Sequence, residues 1–249
     1  MNSGEAKLIP EVVYETAKFA ALSKPAGLLV HETAISKKNL ERAETLADWV
    51  AEHYPETKSV GDDPASRPGI VHRLDKDTSG IMLIARDQGY FEYLKNLFQT
   101  HQVRKTYLAL VRGRVKEKEG RIEKPIGLKP NTVKRVVGGR KMKDVKEAVT
   151  EYRTAGHFEA DGKEYTLLEV SPLTGRTHQI RVHLASIGHP VAGDRLYGGG
   201  GDLGLNRQFL HAESIEFPES PGRRIKLSAD LPDELQKTLG KLTKIGSFR

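Results

Sequence analysis

Gly69-Ile70-Val71-His72-Arg73-Leu74-Asp75-Lys76-Asp77-Thr78-Ser79-Gly80 runs directly into Ile81-Met82-Leu83-Ile84-Ala85, a polar loop followed by an unbroken apolar run. The apolar run has the length and content of a buried strand. The loop before it gathers one His, one Arg and two Asp beside that rigid element, and loops on a rigid scaffold are where reactive side chains tend to sit. Asp77 to Gly80 also suit an ordinary turn. The loop alone leaves both readings open.

Working outward, residues 18–22 read as a strand that turns at Lys24-Pro25-Ala26-Gly27. Residues 45–53 read as a helix with Leu46, Ala47, Val50 and Tyr54 on one face and Pro55 as its stop. Residues 61–68 read as exposed loop. Asp87 is placed to cap a helix through Gln99, with Phe91, Leu94, Leu97 and Phe98 inward. Residues 106–111 form the next expected strand, and 149–157 with 165–170 a hairpin across Asp161-Gly162. After an expected turn at 171–175, residues 177–187 read as a helix stopped by Gly188. The four glycines at 198–201 read as a loop too flexible to be structural, and 232–241 as a short surface helix. Strands and helices mix without a βαβα rhythm, which predicts an α+β fold.

Composition bounds the chemistry. The chain has 249 residues, 37% hydrophobic and 29% charged, which predicts a globular protein. We expect a short leader at 1–10 and a single catalytic domain over 11–249. No run approaches the eighteen or so apolar residues of a membrane span, and Met1-Asn2-Ser3-Gly4-Glu5 lacks a secretory pattern, so a cytoplasmic location is expected. With no cysteine, disulfides, thiolate catalysis and cysteine zinc sites are excluded. The net charge of +7 is concentrated: residues 101–150 hold 15 basic and 5 acidic side chains, the other 199 residues 25 and 28. Such a block suits a polyanion-facing surface, although a solubilising lysine-rich loop has the same composition. Only Tyr107 interleaves it with an aromatic, which favours backbone contact over base stacking.

A second polar segment is Pro172-Leu173-Thr174-Gly175-Arg176-Thr177-His178-Gln179-Ile180-Arg181-Val182-His183. On a helix, 177, 178 and 181 would share a face. An arginine there can pair with an aspartate of the earlier loop and keep it ionised, or simply lay its stem on the surface. The spacing of His178 and His183 does not suit a helical metal pair, so no metal is expected. No phosphate-binding P-loop and no nucleophile elbow is present, and no nucleotide cofactor is expected.

His72-Arg73-Leu74-Asp75 with Thr78-Ser79-Gly80 resembles the signature of the RluA family of pseudouridine synthases. Three further segments agree in order: Lys24-Pro25-Ala26-Gly27-Leu28-Leu29-Val30-His31, Arg104-Lys105-Thr106-Tyr107-Leu108-Ala109-Leu110-Val111, and the 175–183 segment continued by Gly188-His189-Pro190 and Gly193-Asp194. The match runs from about residue 11 to about 232. Ser23 and Glu32 depart from the family's usual Asn and Pro in the first segment.

The resemblance implies a mixed, largely antiparallel central sheet flanked by helices and loops. It also implies isomerisation of uridine to pseudouridine in ribosomal or transfer RNA, with the base flipped into the pocket. The family's aspartate falls on Asp75, its tyrosine on Tyr107 and its helix arginine on Arg181. Asp75 would attack the anomeric carbon or take a proton from the neighbouring sugar carbon, and Arg181 would orient it. Tyr107 would pack against the uracil near the proton that leaves carbon-5. Arg73 would fill the gap left by the base, with His72, Lys105 and Arg176 as further RNA contacts and the basic block meeting phosphates. No cofactor is implied, because the reaction has no net redox change or hydrolysis, and a monomer is expected. Two other readings compete: an RNA-folding module of the same fold in ribosome assembly, and a metal-dependent nuclease using His72, Asp75 and Asp77 with His178 or His183.

Overall fold

The computed structural model describes residues 8–32, 44–130, 132, 134–138, 142–220 and 222–246. Most of the expected leader, together with Arg140 and Lys141 of the basic block, lies outside them. In chain order the elements are β1 (Glu11–Glu15), β2 (Phe19–Lys24), α1 (Leu46–His53), β3 (Ser79–Ala85), α2 (Gln88–Gln99), β4 (Arg104–Arg112) and β5 (Glu119–Glu123). There follow β6 (Ile126–Leu128), β7 (Arg135–Val137), β8 (Lys143–Lys146), β9 (Val149–Ala160), β10 (Lys163–Pro172) and α3 (Gln179–Ser186). The chain closes with β11 (Leu210–Ser220), β12 (Arg223–Ser228), α4 (Asp233–Gly240) and β13 (Thr243–Lys244). This is the expected α+β class. Two compact units divide the chain, one of residues up to Val103 with Ile215–Ala229, the other of Arg104–Ser214 with the residues from Asp230. Among the described residues no helix is long and apolar enough to cross a membrane.

In the first unit β1, β2 and β3 pair antiparallel, with Phe19 opposite Ala85 and Lys24 opposite Gly80. Every residue of β3 is buried, as its unbroken apolar run predicts. Phe19, Leu83, Phe91, Leu94, Leu97, Ile215 and Phe217 share the core of this unit. The caps of its helices are local chemistry: the Asp87 carboxylate accepts from the Tyr90 amide at 2.8 Å, and Thr45 and Asp48 form a reciprocal capping box. Gly69 has φ of +66°, and a Cβ there would sit 2.3 Å from the Ala85 carbonyl oxygen. Only glycine lets the chain enter the polar loop this close to β3.

In the second unit β10 pairs antiparallel with β4 and β9, and β9 also with β5 and β13. The β9–β10 turn puts Asp161 and Gly162 at φ of +49° and +69°, the pattern of the tight hairpin its Asp-Gly predicts. The basic block is not one loop: β6 pairs with β7 and β8 in a small antiparallel sheet.

Two expectations need correction. The helix expected over 177–187 begins at Gln179, because His178 sits in the left-handed region at φ of +56°. Thr177 and His178 therefore precede the helix instead of sharing a face of it with Arg181. The glycine run at 198–201 is structural, not slack. Gly199 donates to the Asp194 carbonyl at 2.9 Å, and a Cβ on it would lie 1.8 Å from the Val191 oxygen.

A buried chain of hydrogen bonds ties α3 to β9. The Gln179 side-chain amide donates to Thr150 Oγ1 at 3.0 Å, and Thr150 Oγ1 lies 2.9 Å from His183 Nδ1. His183 Nε2 lies 3.0 Å from the Lys124 carbonyl. A carbonyl only accepts, so the ring's proton is on Nε2, and Nδ1 accepts from the threonine hydroxyl. Burial holds the His183 pKa below 6.5, with the Lys124 carbonyl working against that shift and the Lys124 charge assisting it.

Two outcomes follow from these positions. Gly69→Ala should cost roughly 2–4 kcal/mol in urea unfolding, from a positive φ and an unavoidable clash. Because the His183 pKa is lowered on folding, its stabilisation is present at neutral pH and is lost as pH falls below 6.5. Unfolding free energies between about pH 7.5 and 5.5 should therefore decline less steeply in His183→Gln than in wild type, and equal slopes would refute the assigned ring state.

Candidate active site

The loop that carries Asp75 is fixed from both sides. Ahead of it, His72 Nε2 accepts from the Leu83 amide at 2.9 Å, and the ring stacks on Phe98 at 4.7 Å between centroids. This fixes the tautomer, since an accepting Nε2 carries no proton. Leu74 is buried as an apolar anchor, while Arg73 beside it is exposed. After it, the Lys76 carbonyl accepts from the Gly27 amide at 3.0 Å and from Lys24 Nζ at 2.9 Å, and Thr78 N donates to the Asp75 carbonyl at 3.1 Å. Asp75 is thereby held half-buried at the start of a tight turn.

Lys24 carries no exposed surface, yet its ammonium is satisfied by three carbonyls: Pro25 at 2.8 Å, Leu28 at 2.9 Å and Lys76. Three N–H donors meeting three oxygens is what a buried ammonium requires. His31, seven residues on, has a buried Nδ1 without a hydrogen-bond partner among the described residues. Its pKa is lowered by burial, then by the Arg73 and Arg67 charges, with Asp63 opposing.

In the second unit, Tyr107 lies on β4 opposite Val170 of β10 and is largely buried. Lys105 leaves the same face of β4 two residues earlier. Arg181, on the first turns of α3, is gripped by Asp194: Nε to Oδ2 at 2.7 Å and one terminal nitrogen to Oδ1 at 2.9 Å. Such a bidentate, charge-assisted pair fixes the plane of a guanidinium as well as its position. The Tyr197 ring lies 5.2 Å from the Arg181 guanidinium carbon, and the Leu196 and Tyr197 amides also donate to Asp194 Oδ1. Tyr197 Oη accepts from the Arg135 amide at 3.0 Å and lies 3.1 Å from His178 Nδ1.

Of the expected RNA contacts, Arg73 and Arg176 are exposed, and Arg176 Nε donates to the Glu147 carbonyl at 3.0 Å. His72 serves the loop geometry through the bonds above, and Lys105 is half-buried. In the basic block, Arg112, Arg114 and Arg121 are paired with Asp202, Glu164, and Glu123 with Glu151. Lys129, Lys143 and Lys146 stand exposed. Sequence reasoning gave no role to Lys24, Gln179, Asp194 or Tyr197. Asp194 had a signal, since Gly193-Asp194 belongs to the last matched segment, but its partner was not readable from spacing.

Comparison with known proteins identifies the family. The family model described as RNA pseudouridylate synthase matches residues 18–186. The chain is 41% identical over 229 residues to an uncharacterized RNA pseudouridine synthase of Chloroflexus aurantiacus, covering 91% of this chain and 67% of that one. It is 38% identical over 249 residues to ribosomal large subunit pseudouridine synthase D of Nitrosomonas europaea, covering 96% and 67%. With an uncharacterized RNA pseudouridine synthase of Aquifex aeolicus the match, at 43% identity, spans 75% of this chain but only 55% of the relative. Among solved structures, human RNA pseudouridylate synthase domain containing 1 superposes with a TM-score of 0.75 at 24% identity, covering 100% of this chain and 94% of that one, and so shares the fold. By its sequence match across two thirds of its length, the chain belongs to the RNA pseudouridylate synthase family.

Proposed function

We propose that this chain isomerises uridine to pseudouridine in ribosomal RNA, acting as a cytoplasmic monomer and a single catalytic domain without a cofactor. The observation that carries the reading is the Asp75 loop, a half-buried carboxylate whose backbone is tied through Lys76 to Lys24 and Gly27. An unbraced loop could not hold a nucleophile or base to the geometry that catalysis needs. Ribosomal RNA is favoured over transfer RNA because the Nitrosomonas relative is named for the large ribosomal subunit.

In this reading the C1′–N1 bond of the target uridine breaks and its electron pair stays with the uracil. Asp75 supports the sugar either by bonding to C1′ or by taking the 2′ proton. The base turns and C5 bonds to C1′. As C5 bonds to C1′ the Asp75–C1′ bond breaks, or on the other route the 2′ proton returns from Asp75 to C2′; the C5 proton then leaves and N1 gains one, so atoms balance with no oxidant, reductant or water consumed. Arg181, its plane set by Asp194, serves to orient the carboxylate, and Tyr107 packs against the base near the departing proton. Arg73 fills the space the flipped nucleotide leaves, with His72 and Arg176 beside the strand. The exposed cations of the 104–146 block meet phosphates.

With RNA tritiated at uracil C5, wild type should release tritium from ribosomal RNA, and Asp75→Asn should be slower by on the order of 10³-fold or more while still binding. Equal release by both proteins would remove Asp75 from the mechanism, and release from transfer RNA alone would overturn the substrate. Affinity for RNA should fall steeply, on the order of a thousandfold between roughly 50 and 200 mM salt if about six phosphates are contacted. A flat salt response would rule out the basic block as the RNA footprint.

A further inference from the structure

Lys105 is a cation without a counter-charge. Among the described residues its ammonium makes no hydrogen bond or ion pair, in contrast to Lys24, whose three donors all meet carbonyls. It lies half-buried near the start of β4, and burial alone pushes its pKa down to about 8, with no neighbouring charge contributing. On the face of β4 that it shares with Tyr107, β10 offers Val170 and Leu168, neither of them charged, and Glu169 pairs with Leu108 on the opposite face. His211 and Glu213 of β11 and Arg104 and Arg112 of β4 itself also leave its charge unaffected. A desolvated ammonium with nothing to neutralise it destabilises a fold. A ligand that supplies negative charge would neutralise it where this chain's own residues do not.

We propose that Lys105 is the counter-charge for the uracil as it leaves the sugar, touching the carbonyl oxygens of the base where the bonding pair delocalises. The proposal rests on the reading of this chain as a synthase and of Tyr107 as the base platform. The Cα atoms of Lys105 and Tyr107 are about 7 Å apart along the strand, within reach of a four-carbon side chain extended over a base on that ring. A phosphodiester is the weaker candidate. It is permanently charged and strongly hydrated, and Lys129, Lys143 and Lys146 already present exposed ammonium groups of the kind that meet phosphates. A cation kept from water acts most strongly on charge that develops only during the reaction. The heterolysis of C1′–N1 places one negative charge on the uracil, spread over N1, O2 and O4. Lys105 keeps all its protons and stabilises that charge by hydrogen bonding, whichever route Asp75 takes.

The test is single-turnover tritium release together with RNA affinity by filter binding, on wild type, Lys105→Met and Lys105→Arg. At saturating RNA the Met variant should be slower by on the order of 10²-fold, with its Kd within about threefold of wild type. The Arg variant should recover most of the rate. At sub-saturating RNA, where ionisations of the free enzyme govern, the wild-type rate should fall above about pH 8, and that fall should vanish in Lys105→Arg. Lys105→Met should also be at least as stable to urea as wild type, since it removes a desolvated charge. An undiminished rate in the Met variant overturns the proposal. So does weakened binding with an unchanged saturated rate, which would mark a phosphate contact. Slow turnover with lost stability and no rescue by arginine would show a structural lysine and equally overturn it. Failure of the synthase reading itself looks different, because wild type would then release no tritium at all.

Discussion

A buried ammonium sets the geometry of the loop that carries Asp75. Lys24 has no contact with solvent, and a charge in that position is tolerated only when the backbone brings oxygens to it. Two of its acceptors, the Pro25 and Leu28 carbonyls, lie in the turn that follows β2, and the third belongs to the residue after Asp75. The turn and the Asp75 loop, some fifty residues apart in sequence, are therefore shaped by one requirement. Any displacement of Asp75 that drags the Lys76 carbonyl away leaves a buried N–H without an acceptor. The loop is stiff because a desolvated donor demands it, and Pro and Gly in the turn serve the same cation.

The second unit uses the mirror arrangement, a buried anion. Asp194 is shielded from solvent and collects the fork of Arg181 together with the Leu196 and Tyr197 amides. The glycines that follow are part of this arrangement: Gly199 passes so close to Val191 that no side chain fits, and its carbonyl accepts from the Gly193 amide at 2.6 Å. Arg181 is consequently fixed in orientation by groups of its own unit.

Much of this was legible in the sequence wherever a local rule dominates. The Asp87 cap, the Asp161-Gly162 hairpin and the unbroken apolar run of β3 each follow from neighbours within a few residues, and each stands where the pattern puts it. The resemblance identified the family through ordered motifs. What escaped depends on partners distant in sequence. Lys24 looked like a turn lysine, Asp194 like the end of a motif, and Gly199 like slack, because the groups that give them meaning lie elsewhere in the chain. The start of α3 was misread for a local reason, since apolar spacing through 177–187 cannot reveal that His178 adopts a left-handed backbone. The strands β7 and β8 were hidden by their brevity, three and four residues, and β8 by its charge as well.

The way the chain is shared between its two units bears on how it is made. Ile215, Phe217 and Ala229 pack in the same core as Phe19, Leu83 and Leu94, so the first unit is completed by a segment synthesised after most of the second. The second unit in turn takes its last helix from beyond residue 230, where Leu235 is fully buried. On a ribosome that releases residues from the N-terminus onward, neither core can close until the segment carrying Ile215 to Leu235 has emerged. Pairings that span more than a hundred residues are slow to form, and the half-built first unit meanwhile exposes the apolar strands that β11 and β12 will cover, a state open to chaperones and to aggregation. Closure of the two cores therefore waits on the segment from Ile215 to Leu235.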